Sequence, residues 1–241
     1  MRDRAFASRC CTEIIRPMCG RYSLHTHPEV IALYFKLGLL PDITPRYNIA
    51  PSTKVLIVRH DPEQGRVADL YRWGLIPGWA KDPAIGNKLA NARGETVAEK
   101  PSFRSAFKRG RCLIPASGFY EWKTVAGRKQ PYYVRPAGAD LFAFAGLAER
   151  WNGPDGPVFS CAIITTDANE RMREIHSRMP VILAPEDHAA WLDPANQATA
   201  KLKELLKPCP ARMMAAHPVS TRVNTPRNNE PALVEPLESA A

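Results

Sequence analysis

Short apolar segments separated by turn residues recur along most of this chain, and they constrain its fold more than any other feature. Residues 54–59 and 67–73 flank the turn at residues 61–65, DPEQG, which predicts a β-hairpin. Gly127 lies in a second turn, between the strand-like segments 118–123 and 131–135. The other strand-like segments are residues 111–115, 141–147, 159–165, 181–183 and 212–216.

Fewer segments have helical character. Residues 28–37 begin with Pro28 and Glu29 and are followed by Gly38, which are typical start and stop residues of a helix. The other predicted helices are residues 169–176, 185–192 and 198–207. Because no repeat and no linker divides the chain, we predict a single compact α+β domain with more strand than helix.

Composition narrows the class of protein. The 241 residues are 45% apolar and 24% charged, as in soluble globular proteins. No apolar run approaches the roughly 18 residues of a membrane helix, so we expect no membrane association. Lys and Arg exceed Asp and Glu by 33 to 24, and the net charge of +9 favours a polyanionic partner.

The cysteines indicate reduced thiols rather than a disulfide framework. No two have CxxC spacing, and no Cys/His cluster matches a zinc pattern, so we predict a cytoplasmic protein without metal or other cofactor. Cys112 and Cys161 lie in apolar runs and are expected to be small buried core residues. The six cysteines are Cys10, Cys11, Cys19, Cys112, Cys161 and Cys209.

The first residues do not resemble a secretory signal, because they contain no apolar core. We interpret residues 1–18 as an upstream extension from a misassigned start codon or a disordered tail, with a removed pro-segment as the alternative. The folded domain is expected to span residues 19–228, followed by a polar tail at 229–241. We expect Met18 to be the working initiator and its removal to leave Cys19 first.

Cys19 at the start of a chain would have chemistry that an internal cysteine lacks. Its α-amine, with a pKa of about 7.7–8.0, would lie two carbons from a thiol with a pKa of about 8.5. The amine can condense with an aldehyde to an imine, and the thiol can then close a thiazolidine ring. The alternative is an ordinary structural cysteine.

Four other residues are candidates for a site. Asn91 and Arg93 could hold an amine and a phosphate, or they could form an Asx turn with a solvated arginine. Glu121 lies between Tyr120 and Trp122, where burial would suit it to proton transfer, but strand alternation could instead turn it to solvent. His176 could act as acid or base, or could cap a helix.

Two regions suggest contact with nucleic acid. Residues 73–79, rich in glycine, proline and tryptophan, begin a long loop that leads to Asn91, and such loops are usually functional. Residues 100–111 contain five basic residues, including Arg104 and Lys108, interleaved with Phe103 and Phe107. This pattern suits single-stranded nucleic acid, and a solvated helix face with two core phenylalanines explains it as well.

Seven motifs, in this order, resemble the SOS response-associated peptidase (SRAP) family, and the match runs from Met18 to about Asn228. One departure is Ala80, where a bacterial member has a second tryptophan after the one that matches Trp79. The motifs are MCGRY (18–22), RYNIAP (46–51), WGLIPGW (73–79), NARGET (91–96), GFYEW (118–122), IHSRMP (175–180) and HPVS (217–220).

The resemblance implies a compact α+β domain with curved, barrel-like antiparallel sheets and peripheral helices. It also implies a sensor of abasic sites in single-stranded DNA, which crosslinks to the ring-opened sugar as a thiazolidine during the DNA damage response. The matched catalytic positions are Cys19, Asn91, Glu121 and His176. The matched DNA-path positions are Arg21, Pro51, Trp79 and Arg93, to which the basic segment adds Arg104 and Lys108.

The word peptidase in the family name implies self-cleavage that exposes the cysteine, and it does not establish general proteolysis. Two other functions remain open at this point. One is a cysteine hydrolase that uses Cys19, His176 and Glu121, and the other is a non-covalent module for single-stranded DNA. We expect a monomer that is nucleoid-associated when bound to DNA.

Overall fold

A computed structural model describes residues 20–237 of the chain. Within this range the chain forms thirteen β-strands and five α-helices. Short 3-10 helices lie between some of them. The first strands are β1 Tyr22–Leu24, β2 Arg46–Ile49, β3 Lys54–Asp61, β4 Gly65–Trp73, β5 Asn91–Arg93, β6 Arg111–Ala116 and β7 Gly118–Val125. The later strands are β8 Arg128–Pro136, β9 Phe142–Gly153, β10 Gly156–Asp167, β11 Arg178–Pro180, β12 Ile182–Leu183 and β13 Met214–Pro218. The α-helices are α1 Pro28–Phe35, α2 Arg104–Arg109, α3 Glu170–Arg173, α4 His188–Leu192 and α5 Thr199–Glu204.

Five strands close into a barrel, which confirms the predicted barrel-like fold. In the order β10, β4, β3, β6 and β9 each strand pairs with the next, and β9 pairs back with β10. The β10–β4 contact is parallel and the other four are antiparallel. Strands β5 and β11 extend the barrel sheet through β10, and β12 extends it through β9.

A second sheet packs against the barrel. Its five strands run in the order β13, β8, β7, β1 and β2, and all its pairings are antiparallel. Tyr22 of β1 joins the two sheets, because its ring packs edge-on against the rings of Trp73 and Phe144. The ring centroids are 5.3 and 5.8 Å apart, respectively. All three side chains are fully buried, and burial of each contributes about 2–3 kcal/mol.

The predicted hairpins are present, and their strands are longer than the apolar segments alone indicate. The turn between β7 and β8 places Ala126 and Gly127 at φ of 48° and 77°. The helices are shorter: α3 covers four of the eight predicted residues, with Asn169 as its N-cap. Helix α1 ends at Lys36, whose φ of 57° makes it the left-handed cap, so Gly38 is not the stop residue.

The structure also answers two expectations about burial. Cys112 and Cys161 are fully buried, as predicted, and burial raises the pKa of both thiols. The segment 229–237, assigned to a polar tail from sequence, lies against the domain in the structure. Leu233 is fully buried there, and the Oδ1 of Asn229 accepts a hydrogen bond from the Tyr47 backbone N–H at 2.7 Å.

Candidate nucleic-acid interface

The register of β1 against β7 places the start of the described chain beside Glu121. Tyr22 pairs with Phe119, and the Tyr120 N–H donates to the Arg21 carbonyl at 3.0 Å. Continued by one residue, this antiparallel register brings Gly20 opposite Glu121. Glu121 is only 3% exposed, so the solvent-facing alternative is wrong. Cys19, the candidate nucleophile, lies outside the described residues.

Asn91 and Arg93 lie on a strand, not on the predicted loop. Strand β5 runs parallel to β10, with Asn91 opposite Ile163 and Arg93 opposite Thr165. The preceding carbonyl, that of Ala90, accepts the indole N–H of Trp73 at 2.8 Å. Since the same Trp73 ring contacts Tyr22, a continuous set of contacts joins β1 to the start of β5. Asn91 is half-buried and Arg93 is exposed.

His176 lies just after α3 and is half-buried. Its Nδ1 accepts a hydrogen bond from the Arg178 backbone N–H at 3.2 Å. Burial, aided by the positive charges of Lys129 and Arg178, lowers the pKa of His176. The ring is therefore neutral at pH 7 and carries its proton on Nε2, because Nδ1 is already an acceptor.

Arg178 holds this region in place, although the sequence interpretation did not include it among the site residues. Its guanidinium forms ion pairs with Glu95 and with Asp167, the latter at 3.1 Å, and it donates to the Thr165 carbonyl at 3.0 Å. The hydrogen bond from Arg178 lowers the pKa of Glu95. The arginine in the matched IHSRMP motif was the available signal.

Arg21 contacts the end of the domain. Its guanidinium donates to Oδ1 of Asn48 and to the Val223 carbonyl, both at 2.8 Å. The Asn48 amide in turn donates to the carbonyls of Val223, Thr225 and Asn228. Arg21 therefore has a structural function in the protein, and its contact with DNA stays a prediction.

An exposed tryptophan stands beside the basic segment. The Trp79 side chain is 59% exposed, and its indole N–H donates to the Pro101 carbonyl at 3.2 Å. On α2 and its cap, Arg104 and Lys108 are exposed, whereas Phe103 and Phe107 are buried. The basic segment thus has a core face with both phenylalanines and a solvated cationic face, as the second interpretation predicts. The two buried rings are not available to stack on bases, and contact of the cationic face with nucleic acid stays a prediction.

Two further positions complete the loop region. Pro51 is half-buried and precedes Ser52, whose φ is 70° and whose hydroxyl bonds to the Asn87 amide oxygen at 3.1 Å. Ala80, at the position where a bacterial member of the family has a second tryptophan, is buried. Its carbonyl accepts a hydrogen bond from the Trp151 indole N–H at 2.6 Å. Of these two positions only Trp79 therefore presents an exposed aromatic ring, and its stacking on a base stays a prediction.

Residues 20–237 contain no group of three or more His, Cys, Asp or Glu side chains placed to hold a metal ion. None of the helices in the same range has the length and apolar character needed to cross a membrane.

The chain is similar to several known proteins. Abasic site processing protein YoqW of Bacillus subtilis is 48% identical over 223 residues, covering 90% of this chain and 99% of that protein. HMCES of Gallus gallus, also named an abasic site processing protein, is 37% identical over 226 residues, covering 80% of this chain and 67% of that protein. A solved structure from Bacteroides thetaiotaomicron has a TM-score of 0.82 at 28% identity, covering 91% and 100% of the two chains. The family model described as SOS response associated peptidase (SRAP) matches residues 18–226, and this chain belongs to that family.

Proposed function

We propose that this protein recognises abasic sites in single-stranded DNA and bonds covalently to them through Cys19. Its relatives are named for abasic site processing, which supports the lesion as the target. The observation that carries the chemistry is the β1–β7 register, because it directs the residue next to Cys19 toward the buried Glu121.

The covalent step needs an amine, an aldehyde and a thiol. The α-amine of Cys19 adds to the C1′ aldehyde of the ring-opened sugar, and loss of water gives an imine. The thiol then adds to the imine carbon and its proton passes to the nitrogen, which closes a thiazolidine. Glu121 moves the proton from the attacking amine to the departing hydroxyl, and Asn91 orients the amine.

The aldehyde must first be released from the closed sugar. His176 is neutral and carries a proton on Nε2, so it can donate a hydrogen bond to O4′ as the C1′–O4′ bond breaks. In the same step the proton of the C1′ hydroxyl leaves to water and a water proton passes to O4′, so the aldehyde forms and O4′ becomes the C4′ hydroxyl. This function requires a hydrogen-bond donor at Nε2 of His176. Because Nδ1 accepts the Arg178 N–H, the proton of the neutral ring lies on Nε2.

The DNA strand runs over the cationic and aromatic surface. Arg93, Arg104 and Lys108 are exposed and pair with phosphates, while the exposed ring of Trp79 stacks on a base. Arg21 and Pro51 line the same path near β1 and β3. An abasic nucleotide reaches the site without the cost of unpairing and flipping an intact base.

The mechanism requires a free amine on Cys19. We propose that initiation at Met18 and removal of that methionine supply it, with self-cleavage before Cys19 as the less favoured route. The intact mass of protein isolated from its native host distinguishes these outcomes from retention of residues 1–18. A dominant species that retains those residues and still crosslinks would remove the free-amine requirement.

The central experiment mixes a protein chain that begins at Cys19 with single-stranded DNA that contains one abasic site. We expect an adduct that survives denaturing gel electrophoresis and whose mass equals protein plus DNA minus one water. The intact strand should give none. Cys19→Ala should abolish the adduct, and Cys209→Ala, a half-buried cysteine elsewhere, should preserve it. Equal adduct from Cys19→Ala would refute the proposed bond through Cys19. No adduct from the wild type, with binding to abasic DNA intact, would leave the non-covalent module as the alternative.

One contact disfavours a cysteine hydrolase. A thiol–histidine pair needs an imidazole nitrogen that can accept the thiol proton, yet Nδ1 of His176 is occupied by Arg178 and Nε2 is protonated. Turnover of a peptide by the DNA-free protein would contradict this assignment.

A further inference from the structure

The barrel carries a cleft that the proposed crosslinking chemistry does not use. It has a volume of about 340 Å³ and lies between β3, β4, the hairpin of β9 and β10, and the C-terminal half of α2. Its walls combine aromatic rings with arginines, and the lining residues that matter here are Arg59, Tyr71, Arg109, Glu149, Arg150 and Phe159.

Phe159 is the unusual aromatic residue of this cleft. It lies on β10 yet remains 41% exposed, and its ring contacts the buried Tyr71 ring at a centroid distance of 5.3 Å. Arg150, its partner in the β9–β10 register, places its guanidinium 5.9 Å from the Phe159 ring centroid. An exposed ring with a cation beside it can bind a stacked base together with its phosphate.

The charges of the cleft leave two arginines for an anion. Arg59 is neutralised by ion pairs with Asp61 and Asp69, at 3.1 and 2.7 Å. Arg109 and Arg150 instead hydrogen-bond to neutral oxygens, those of Ser105 and Asn152. Glu149 is the one carboxylate among the described lining residues, so these two arginines outnumber it.

The cleft is also continuous with the surface proposed to carry DNA. Gly78, next to Trp79, lies against β9, because a Cβ built on it would be 3.5 Å from the Arg150 carbonyl oxygen and 4.0 Å from Oε1 of the cleft residue Glu149. Helix α2 shows Arg104 and Lys108 to solvent on one side and contributes Arg109 to the cleft on another. A strand that leaves Trp79 therefore meets the cleft next.

We propose that this cleft is a second nucleotide-binding site, which takes one unpaired nucleotide of the strand flanking the lesion. The base stacks on Phe159, and its phosphate lies between Arg109 and Arg150. This inference rests on the proposed function for the class of strand, but it requires no bond to Cys19.

The test measures non-covalent binding of full-length protein to strands that carry a tetrahydrofuran analogue, which has no aldehyde. The strands are lengthened one nucleotide at a time on the 5′ or the 3′ side of the analogue. We expect one added nucleotide, on one side, to raise affinity about fivefold or more. Phe159→Ala and Arg150→Gln should abolish this stepwise gain in affinity while leaving the affinity for the shortest strand unchanged.

Matched controls are Leu33→Ala and Arg212→Gln, both at exposed positions remote in sequence from the cleft residues. A step that persists in both cleft variants, or no step on either side in the wild type, would overturn the assignment. Saturation by free dAMP, without any dependence on strand length, would instead identify a site for free nucleotides and would also overturn it. Absence of a covalent adduct with true abasic DNA would refute the proposed function and leave this measurement intact.

Discussion

The backbone N–H of Arg178 donates to Nδ1 of His176 at 3.2 Å, and this contact determines which nitrogen of the ring carries the proton. A donor at Nε2 is what the proposed ring opening needs. A glutamine places its amide N–H₂ close to where Nε2–H lies, whereas alanine provides no donor.

We therefore expect His176→Gln to crosslink abasic DNA faster than His176→Ala, which should be slower than wild type by about 10²-fold or more. Single-turnover rates with saturating DNA measure this directly. Equal rates for the two variants would contradict the donor function and leave His176 as a structural residue.

The pH dependence should come from the amine of Cys19 and not from His176. Burial lowers the pKa of His176 below its usual 6.5, so the neutral form of the ring predominates across pH 6.5–8. As pH falls across that window the α-amine, with an ordinary pKa of about 7.7–8.0, becomes protonated and the rate should fall several-fold. Profiles of wild type and His176→Gln should have the same shape above pH 6.5. A midpoint that differs between them in this range would assign the titration to His176.

Glu121 is buried in β7 beside the start of the described chain, and its function is proton transfer in our proposal. Glu121→Gln keeps the shape of the side chain and removes the base, so we expect a loss of about 10²-fold or more in crosslinking rate. Affinity for the tetrahydrofuran strand should not change. Loss of binding together with rate would show instead that Glu121 organises the DNA site.

Arg111 is buried and donates to five backbone carbonyls, those of Phe107, Lys108, Trp191, Asp193 and Asn196. Arg111→Met should lower the free energy of unfolding by about 3 kcal/mol or more, because the carbonyls lose their donors. Arg212→Met, at an exposed position, should change it by less than about 0.5 kcal/mol. Urea unfolding of both variants measures the difference.

Gly118 must lack a side chain for strands β1, β7 and β8 of the second sheet to keep their register. A Cβ built there would lie 2.2 Å from the Tyr133 hydroxyl, which bonds to Ser23 Oγ at 2.8 Å. Gly118→Ala should therefore destabilise the protein by about 1–3 kcal/mol. Gly38→Ala, with no atom within 4 Å of its Cβ, is the control and should not destabilise it in the same thermal unfolding experiment.

The sequence predicts those parts of this fold that depend on local patterns. The hairpin of β3 and β4 has two short apolar runs on either side of a strong turn, so its position follows from about twenty consecutive residues. Strand β5 has three residues without a pattern, and its conformation depends on pairing with Ile163 to Thr165, far along the chain. A three-residue strand of this kind cannot be distinguished from a loop before its partner is known.

The candidate site shows the same division. Motif order predicts Asn91, Glu121 and His176 as site residues, but the burial of Glu121 depends on β1 and β8, which lie on either side of β7. Phe159 appears in the sequence as one apolar residue in a core strand. Its exposure arises because β9 and β10 extend beyond the barrel as a hairpin, which residue type alone does not indicate.

The contact between Arg21 and the Val223 carbonyl spans 202 positions. A ribosome synthesises the cysteine end of the chain first and Val223 near the end, so the growing polypeptide presents its thiol long before that contact can form. Translation thus produces the proposed reactive residue, Cys19, before the contacts around it can form. Unfinished chains would therefore carry the proposed nucleophile, Cys19, without the finished site.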